Sequence, residues 1–141
     1  SWGPLTPMWD GYAPDAERAN AQVQCAVMIE TAGALDAVEQ IAALDGVNLL
    51  FLGPVDLSLS LGLGLDALLA DDSPDGPVGR ILAAARRHDI EVAAFAGDPS
   101  RVPALRALGI DRIAVATDIA LVALGARAVL DLTSATYPRS P

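Results

Sequence analysis

The chain has 141 residues, 52% of them hydrophobic, with a mean hydropathy of +0.40 and a net charge of −9. Its nine basic residues are all arginine, beside one histidine, His88, and one cysteine, Cys25. The missing lysine excludes Schiff-base chemistry, the acidic balance opposes nucleic-acid binding, and no apolar run reaches the ~20 residues of a membrane span.

This length suits a single domain, residues 1–141, with a core of its own. The opening Ser-Trp-Gly-Pro lacks a basic n-region, so no signal peptide is expected. One cysteine makes no internal disulfide, which points to a reducing cytoplasm.

Residues 1–12 read as loop. Residues 24–30 (QCAVMIE) form a short apolar run and a candidate buried strand. Residues 34–44 follow with helical spacing, Leu35, Val38, Ile41 and Ala42 falling on one face. Residues 47–52 (VNLLFL) are the second strand, closed by Gly53-Pro54. The stretch 57–65, LSLSLGLGL, alternates like a strand, but Gly-Pro has just ended one, so an ordered loop or short helix is expected. Residues 70–77 (ADDSPDGP) read as a solvated acidic turn. A helix over 78–87, a strand over 91–96 and a helix opened by Gly97-Asp98-Pro99 and running to 108 come next. A strand over 112–116 and a helix over 119–132 close the chain, leaving 133–141 as a frayed tail.

Short apolar strands, each followed by a helix, predict an α/β fold with a parallel sheet covered by helices. Four such units are half of a (β/α)₈ TIM barrel, whose usual length is ~250 residues. A small doubly wound sheet is the rival architecture. No Gly-rich phosphate loop of either standard spacing supports it.

In parallel α/β folds, chemistry collects at the carboxyl ends of the strands. Every strand end here carries an acid: Glu30, Asp56, Asp98 and Asp118. Asp98 and Asp118 sit at helix starts, where capping explains them. Glu30 has no such duty, because Thr31 is free to cap the next helix. Asp56 lies on the Gly-Pro-Val-Asp-Leu-Ser turn, whose amides can face a ligand; an Asx turn is its structural alternative. Neighbouring strands lie about 4.8 Å apart. Glu30 and Asp56 could therefore share one ion, with water and substrate completing an oxygen shell typical of Mg²⁺ or Mn²⁺. His88 falls at the opposite end of the sheet, where residues serve stability, and Cys25 reads as a small buried apolar residue.

These residues also carry a family likeness. V-M-I-E-T-A-G-A-L-D-A-V and D-G-V-N-L-L-F-L-G-P-V-D-L-S-L-S-L-G resemble the metal-dependent class II pyruvate aldolases of the HpcH/HpaI type, which adjoin the citrate lyase group. The match continues through F-A-G-D-P, A-L-G-I and I-A-V-A-T-D-I-A-L-V, from Arg18 to about Leu130. The resemblance implies strands five to eight of an aldolase barrel, with Glu30 and Asp56 as metal ligands. It places the carboxylate of a pyruvate-like substrate on the backbone of Val55 and Asp56 and on Ser58. The implied reaction is carbon–carbon cleavage of 4-hydroxy-2-oxo acids through an enolate stabilised by Mg²⁺ or Mn²⁺, with Co²⁺ also compatible. The family's basic histidine and its enolate-steadying arginine belong to a first half that has no counterpart here. Many relatives carry Gln where Met28 stands, and a Gly where Ala116 stands. The expected partners are a small 2-oxo acid and either further copies of this chain or a complementing amino-terminal half. The alternative is a self-associating half barrel without aldolase activity, serving as a binding or scaffold module or using the metal site for another reaction.

Overall fold

A computed structural model describes residues 16–110 and 112–136. The strands β1 (Cys25–Ile29), β2 (Val47–Leu52), β3 (Glu91–Phe95) and β4 (Arg112–Ala114) form one parallel sheet in the order β1-β2-β3-β4. Each step along the chain is thus one step across the sheet, and helices make the crossovers that parallel pairing requires. The helices are α1 (Ala16–Gln22), α2 (Ala32–Asp36), α3 (Val38–Ala42), α4 (Pro54–Ser60), α5 (Leu65–Ala70), α6 (Pro77–Arg87), α7 (Val102–Ala107) and α8 (Asp118–Thr136).

The two faces of the sheet differ. Ile29, Leu50, Leu52, Ala94 and Ala96 belong to the main core, with Leu35, Val38, Leu57, Leu68, Val78, Ile81 and Leu105 from the helices. Small alanines on β3 let α6 lie close, and α6 buries Val78, Ile81, Leu82, Ala84 and Ala85. Burying side chains of this size contributes about 1.5–3 kcal/mol for each large aliphatic residue. On the opposite face, Met28, Phe51, Ala93 and Arg112 stand in one register row across all four strands. Met28 is 49% exposed there. At the amino-terminal end, Arg112 Nη1 donates to Gln24 Oε1 at 2.9 Å and Nη2 pairs with Glu91 Oε2 at 2.5 Å. One guanidinium thereby ties together the two edges of the sheet.

Several expectations are corrected. The helix read over 34–44 begins earlier, capped by Thr31, and breaks at Ala37, whose ψ of 6° ends α2 and starts α3. The alternating stretch 57–65, by contrast, forms short helix and loop as expected, its residues divided among α4, the turn after it and the start of α5. Pro54 opens α4, Leu57 is buried and Leu59 is exposed, so helical geometry overrides the period of two. The helix α1 lacks a clear apolar stripe and was not expected. Of the tail predicted to fray, residues 133–136 are the end of α8; the remainder, like the loop read over 1–12, lies outside the described residues. Cys25 is exposed rather than buried, because it opens an edge strand at a register shift where no described element covers it.

The long α8 stands apart from the core. Ile119, Leu121, Val122, Leu124, Val129, Leu130 and Leu132 are all exposed along it, Val122 at 71%. No helix among the described residues is long and apolar enough to cross a membrane.

At the amino-terminal end of the sheet, α3 and α6 are clamped by charge. Glu39 accepts from Arg87 Nε at 3.0 Å, pairs with the Arg87 Nη2, and lies 2.9 Å from His88 Nε2. Hydrogen bonding from Arg87, then from His88, pulls the Glu39 carboxyl down from its ordinary 4.5 to about 2. The folded state therefore gains from ionised Glu39 above pH 4.5, and that gain disappears as pH falls through about 2. Solvent around the pair keeps the effect modest. In urea titrations, the advantage of the unmodified chain over Glu39→Gln is expected to shrink steadily from pH 4.5 to 2. A difference that stays flat across this window would mean the clamp contributes nothing.

Candidate functional site

The register Ile29↔Leu52 sets the site, because it brings the ends of β1 and β2 level. Gly53 N extends the ladder by donating to Ile29 O at 3.2 Å. The chain leaving β1 is Glu30, and the chain leaving β2 is the turn Gly53-Pro54-Val55-Asp56. Both acids therefore lie at the carboxyl end of adjacent parallel strands.

Glu30 lies directly against Gly53. A Cβ placed on Gly53 would come within 3.0 Å of Glu30 Cβ, 3.2 Å of Glu30 Oε2 and 3.7 Å of Met28 Cγ. Real Cβ atoms do not tolerate that first distance without movement of a neighbour. A side chain at this position would fit only if Glu30 gave way by a few tenths of an ångström. The Gly53 φ of −95° is one that any residue adopts, so backbone freedom is not the reason for a glycine here. Met28 and Glu30 are two apart on an extended segment and project to the same side. Thr31 takes over the capping duty, its Oγ1 accepting from Ala34 N at 3.1 Å, which leaves the Glu30 side chain free of it.

Asp56 stands in the first turn of α4, two residues after Pro54. No side chain caps this helix start. Proline contributes no N–H, and Gly53 N is used in the ladder, so the amides of Val55 and Asp56 are the free donors of the turn. Val55 and Asp56 are exposed. Ser58 is buried, and its hydroxyl donates to Val55 O at 2.7 Å. It fixes the turn from beneath and presents no hydroxyl to solvent. At the far end of α4, Ser60 Oγ accepts from Ala32 N at 2.9 Å, tying the segments that follow β1 and β2.

Of the other two strand-end acids, Asp98 has a capping role and Asp118 does not. Asp98 accepts from Ser100 N at 2.8 Å as the cap of a 3₁₀ turn, Pro99–Arg101. Bonding from the Ser100 side chain and then its backbone, with a smaller attraction from Arg101, holds the Asp98 carboxyl below the usual carboxylate range. The expectation that Asp118 caps α8 is corrected. Thr117 Oγ1 accepts from Ala120 N at 3.2 Å, while Asp118 accepts only from the adjacent Ile119 N at 2.8 Å. Thr117, one residue earlier, has the reach a cap needs. His88 lies in the Glu39 clamp at the other end of the sheet, away from Glu30.

The donor set of Glu30 and Asp56 fits a hard divalent cation. It offers carboxylate oxygens with neither imidazole nor thiolate, and Gly53 leaves room for Glu30 to turn over the strand end. Among the described residues no group of three or more His, Cys, Asp or Glu side chains is arranged around an ion. A cation here would take two protein carboxylates and fill its remaining positions from elsewhere. The sequence marked Glu30, Asp56 and the turn between them, but gave no sign that Gly53 serves Glu30 rather than a bend. Gly-Pro after a strand reads as punctuation, and only the tertiary contact shows the second role.

Comparison with known proteins identifies the family of the chain. A hydroxypyruvate/pyruvate aldolase of Paraburkholderia phytofirmans is 41% identical over 103 residues, covering 73% of this chain and 39% of that protein. A 4-hydroxy-2-oxovalerate aldolase of Novosphingobium aromaticivorans is 49% identical over 61 residues, covering 43% of this chain and 23% of the relative. Among solved structures, an HpcH/HpaI aldolase/citrate lyase family protein from Burkholderia cenocepacia superposes with a TM-score of 0.62 at 35% identity, covering 83% of this chain and 45% of its own. The chain thus spans about half the length, or less, of the relatives it matches. The family model for HpcH/HpaI aldolase/citrate lyase matches residues 10–125, and the chain belongs to that family.

Proposed function

We propose that this chain carries the ion-binding and carboxylate-binding part of a divalent-metal-dependent carbon–carbon lyase that acts on small 2-oxo acids. The observation that carries the reading is the packing of Glu30 on Gly53, three residues before Asp56 on the neighbouring strand end. Mg²⁺ and Mn²⁺ suit two carboxylates and an otherwise open shell, and Co²⁺ is compatible. Bound there, such an ion would draw electron density from the keto and carboxylate oxygens of a 2-oxo acid. The chain's own contribution is positional. The free amides of Val55 and Asp56 receive the substrate carboxylate, and buried Ser58 holds the Val55 carbonyl away from it.

The same proposal extends to architecture. Among the described residues, both outer strands, β1 and β4, are unpaired on one side, and the face bearing Met28 carries no helix of the main core. Open edges of this kind invite pairing. We read the chain as strands five to eight of an eight-stranded barrel, whose other half brings the general base and the arginine that answers the enolate. The exposed apolar length of α8 favours association with further copies as well. The same open surfaces support a second reading, a self-associating module without aldolase activity. A cytoplasmic setting fits the lone thiol.

Two measurements test the site. Electron paramagnetic resonance of Mn²⁺ titrated into the chain is expected to show about tenfold weaker binding in Gly53→Ala, an effect comparable to disturbing a ligand's support. Equal affinity in the variant would remove the role given to Gly53. For the reaction, exchange of the C3 protons of pyruvate into D₂O with Mg²⁺ or Mn²⁺, followed on the chain in its native assembly, is expected to fall at least about 100-fold in Glu30→Gln. Exchange that persists in that variant excludes Glu30 as an ion ligand; exchange absent from the unmodified protein favours the second reading.

A further inference from the structure

Two serines on α4 bond in different directions. Ser58 is buried and bonds within its own helix, to Val55 O. Ser60 is exposed and bonds outside it: its Oγ accepts from Ala32 N at 2.9 Å, across 28 positions of sequence. Ala32 opens α2. The first amides of a helix have no partner inside it, and the Thr31 side chain serves another of them, Ala34 N. Ser60 therefore adds a second cap to α2 from a separate element.

A further bond joins the same two segments, because Gly53 N donates to Ile29 O at 3.2 Å. The two ties bound a closed ring, with residues 29–32 on one side and residues 53–60 on the other. Glu30 lies between the ties on its side, and Asp56 lies between them on its own. Pro54, Leu57 and Ser58 turn one side of α4 into the core, which sets the depth of the helix. Asp56 and Ser60 are four residues apart and share another face, their Cβ atoms about 5–6 Å from each other. Drawing Ser60 to Ala32 turns that shared face toward the segment that carries Glu30.

We infer that Ser60 is a positioning residue for the ion site: its bond to Ala32 holds the Asp56 face of α4 against the segment bearing Glu30, so that both carboxylates address one divalent cation. The inference rests on the ion-binding reading of Glu30 and Asp56. Ser60 acts through the two acids and supplies no ligand of its own. Without this tie the helix is joined to the exit of β1 only at Gly53, and it can turn about Leu57, its fully buried anchor. Ligands held loosely must be ordered when an ion binds, and that ordering weakens affinity.

Mn²⁺ binding to the full chain, followed by electron paramagnetic resonance, tests the assignment, and urea unfolding in metal-free buffer shows that each variant is folded in the assay. Ser60→Ala is expected to weaken Mn²⁺ about tenfold, the low end of what a ligand's supporting partners contribute. A role in stability alone would lower the urea midpoint and leave the Mn²⁺ affinity of the folded chain unchanged. Ser60→Thr keeps the hydroxyl and is expected to bind Mn²⁺ as the unmodified chain does. Ala32→Pro removes the same bond from the donor side. Proline suits the first helical position, and Thr31, extended at φ −130° and ψ 156°, accepts a proline after it. This variant is expected to match Ser60→Ala, and it decides the matter should Ser60→Ala not fold. Unchanged affinity in either bond-breaking variant, or a loss in Ser60→Thr equal to that in Ser60→Ala, overturns the role of Ser60 and leaves the Glu30 and Asp56 site standing. Failure of the unmodified chain to bind Mn²⁺ overturns the ion-binding reading, and this inference with it.

Discussion

A hydrogen atom where a methyl group would otherwise sit governs the carboxyl end of this sheet. Gly53 lets Glu30 lie across the end of β2, and any larger residue would push the carboxylate aside. The parallel register makes that contact possible, since it brings Ile29 level with Leu52 and sends both chains out at the same height. Thr31, Ser58 and Ser60 then fix the departing segments with one hydrogen bond each. The carboxylate is left without a structural task. Acids at strand ends are common, but an acid that a neighbouring glycine accommodates and a neighbouring threonine relieves of capping is available for chemistry.

The two ends of the sheet use charge in opposite ways. At the amino-terminal end, carboxylates have direct partners: Glu39 pairs with Arg87 and contacts the His88 ring, and Glu91 pairs with Arg112. At the carboxyl end, Glu30 and Asp56 form no ion pair among the described residues, and Asp98 is held mainly by Ser100 with a smaller attraction from Arg101. Stability is drawn from the first end, and the second is held open. This division follows the general layout of parallel α/β folds, in which the strand bodies give rigidity and the loops beyond them give function.

Much of this was legible in the residues themselves. The four strands were placed within one or two residues, because runs such as VNLLFL and EVAAF are apolar and bounded by glycine or charge. Glu30 and Asp56 stood out because each sits just beyond such a run, and the family likeness named them independently. Local pattern failed where tertiary contacts decide. Ala37 breaks a helix that its neighbours' periodicity would continue, and Cys25 is exposed because the strand it opens lies at an edge. Thr117 rather than Asp118 caps α8, a one-residue difference that composition cannot resolve. The fold-back of Arg101 is hidden for the same kind of reason, since nothing in A-G-D-P-S-R tells that the last residue donates to the carbonyl of the first.

The bond between Arg112 and Gln24 spans 88 positions of sequence. Every strand pairing in the sheet joins segments closer along the chain than that. A nascent polypeptide emerging from the ribosome can therefore assemble β1, β2 and β3 in turn, each closing a shorter loop at lower entropic cost. The tie across the base must wait for β4. An interruption of synthesis before Arg112 would leave that first edge without this bond.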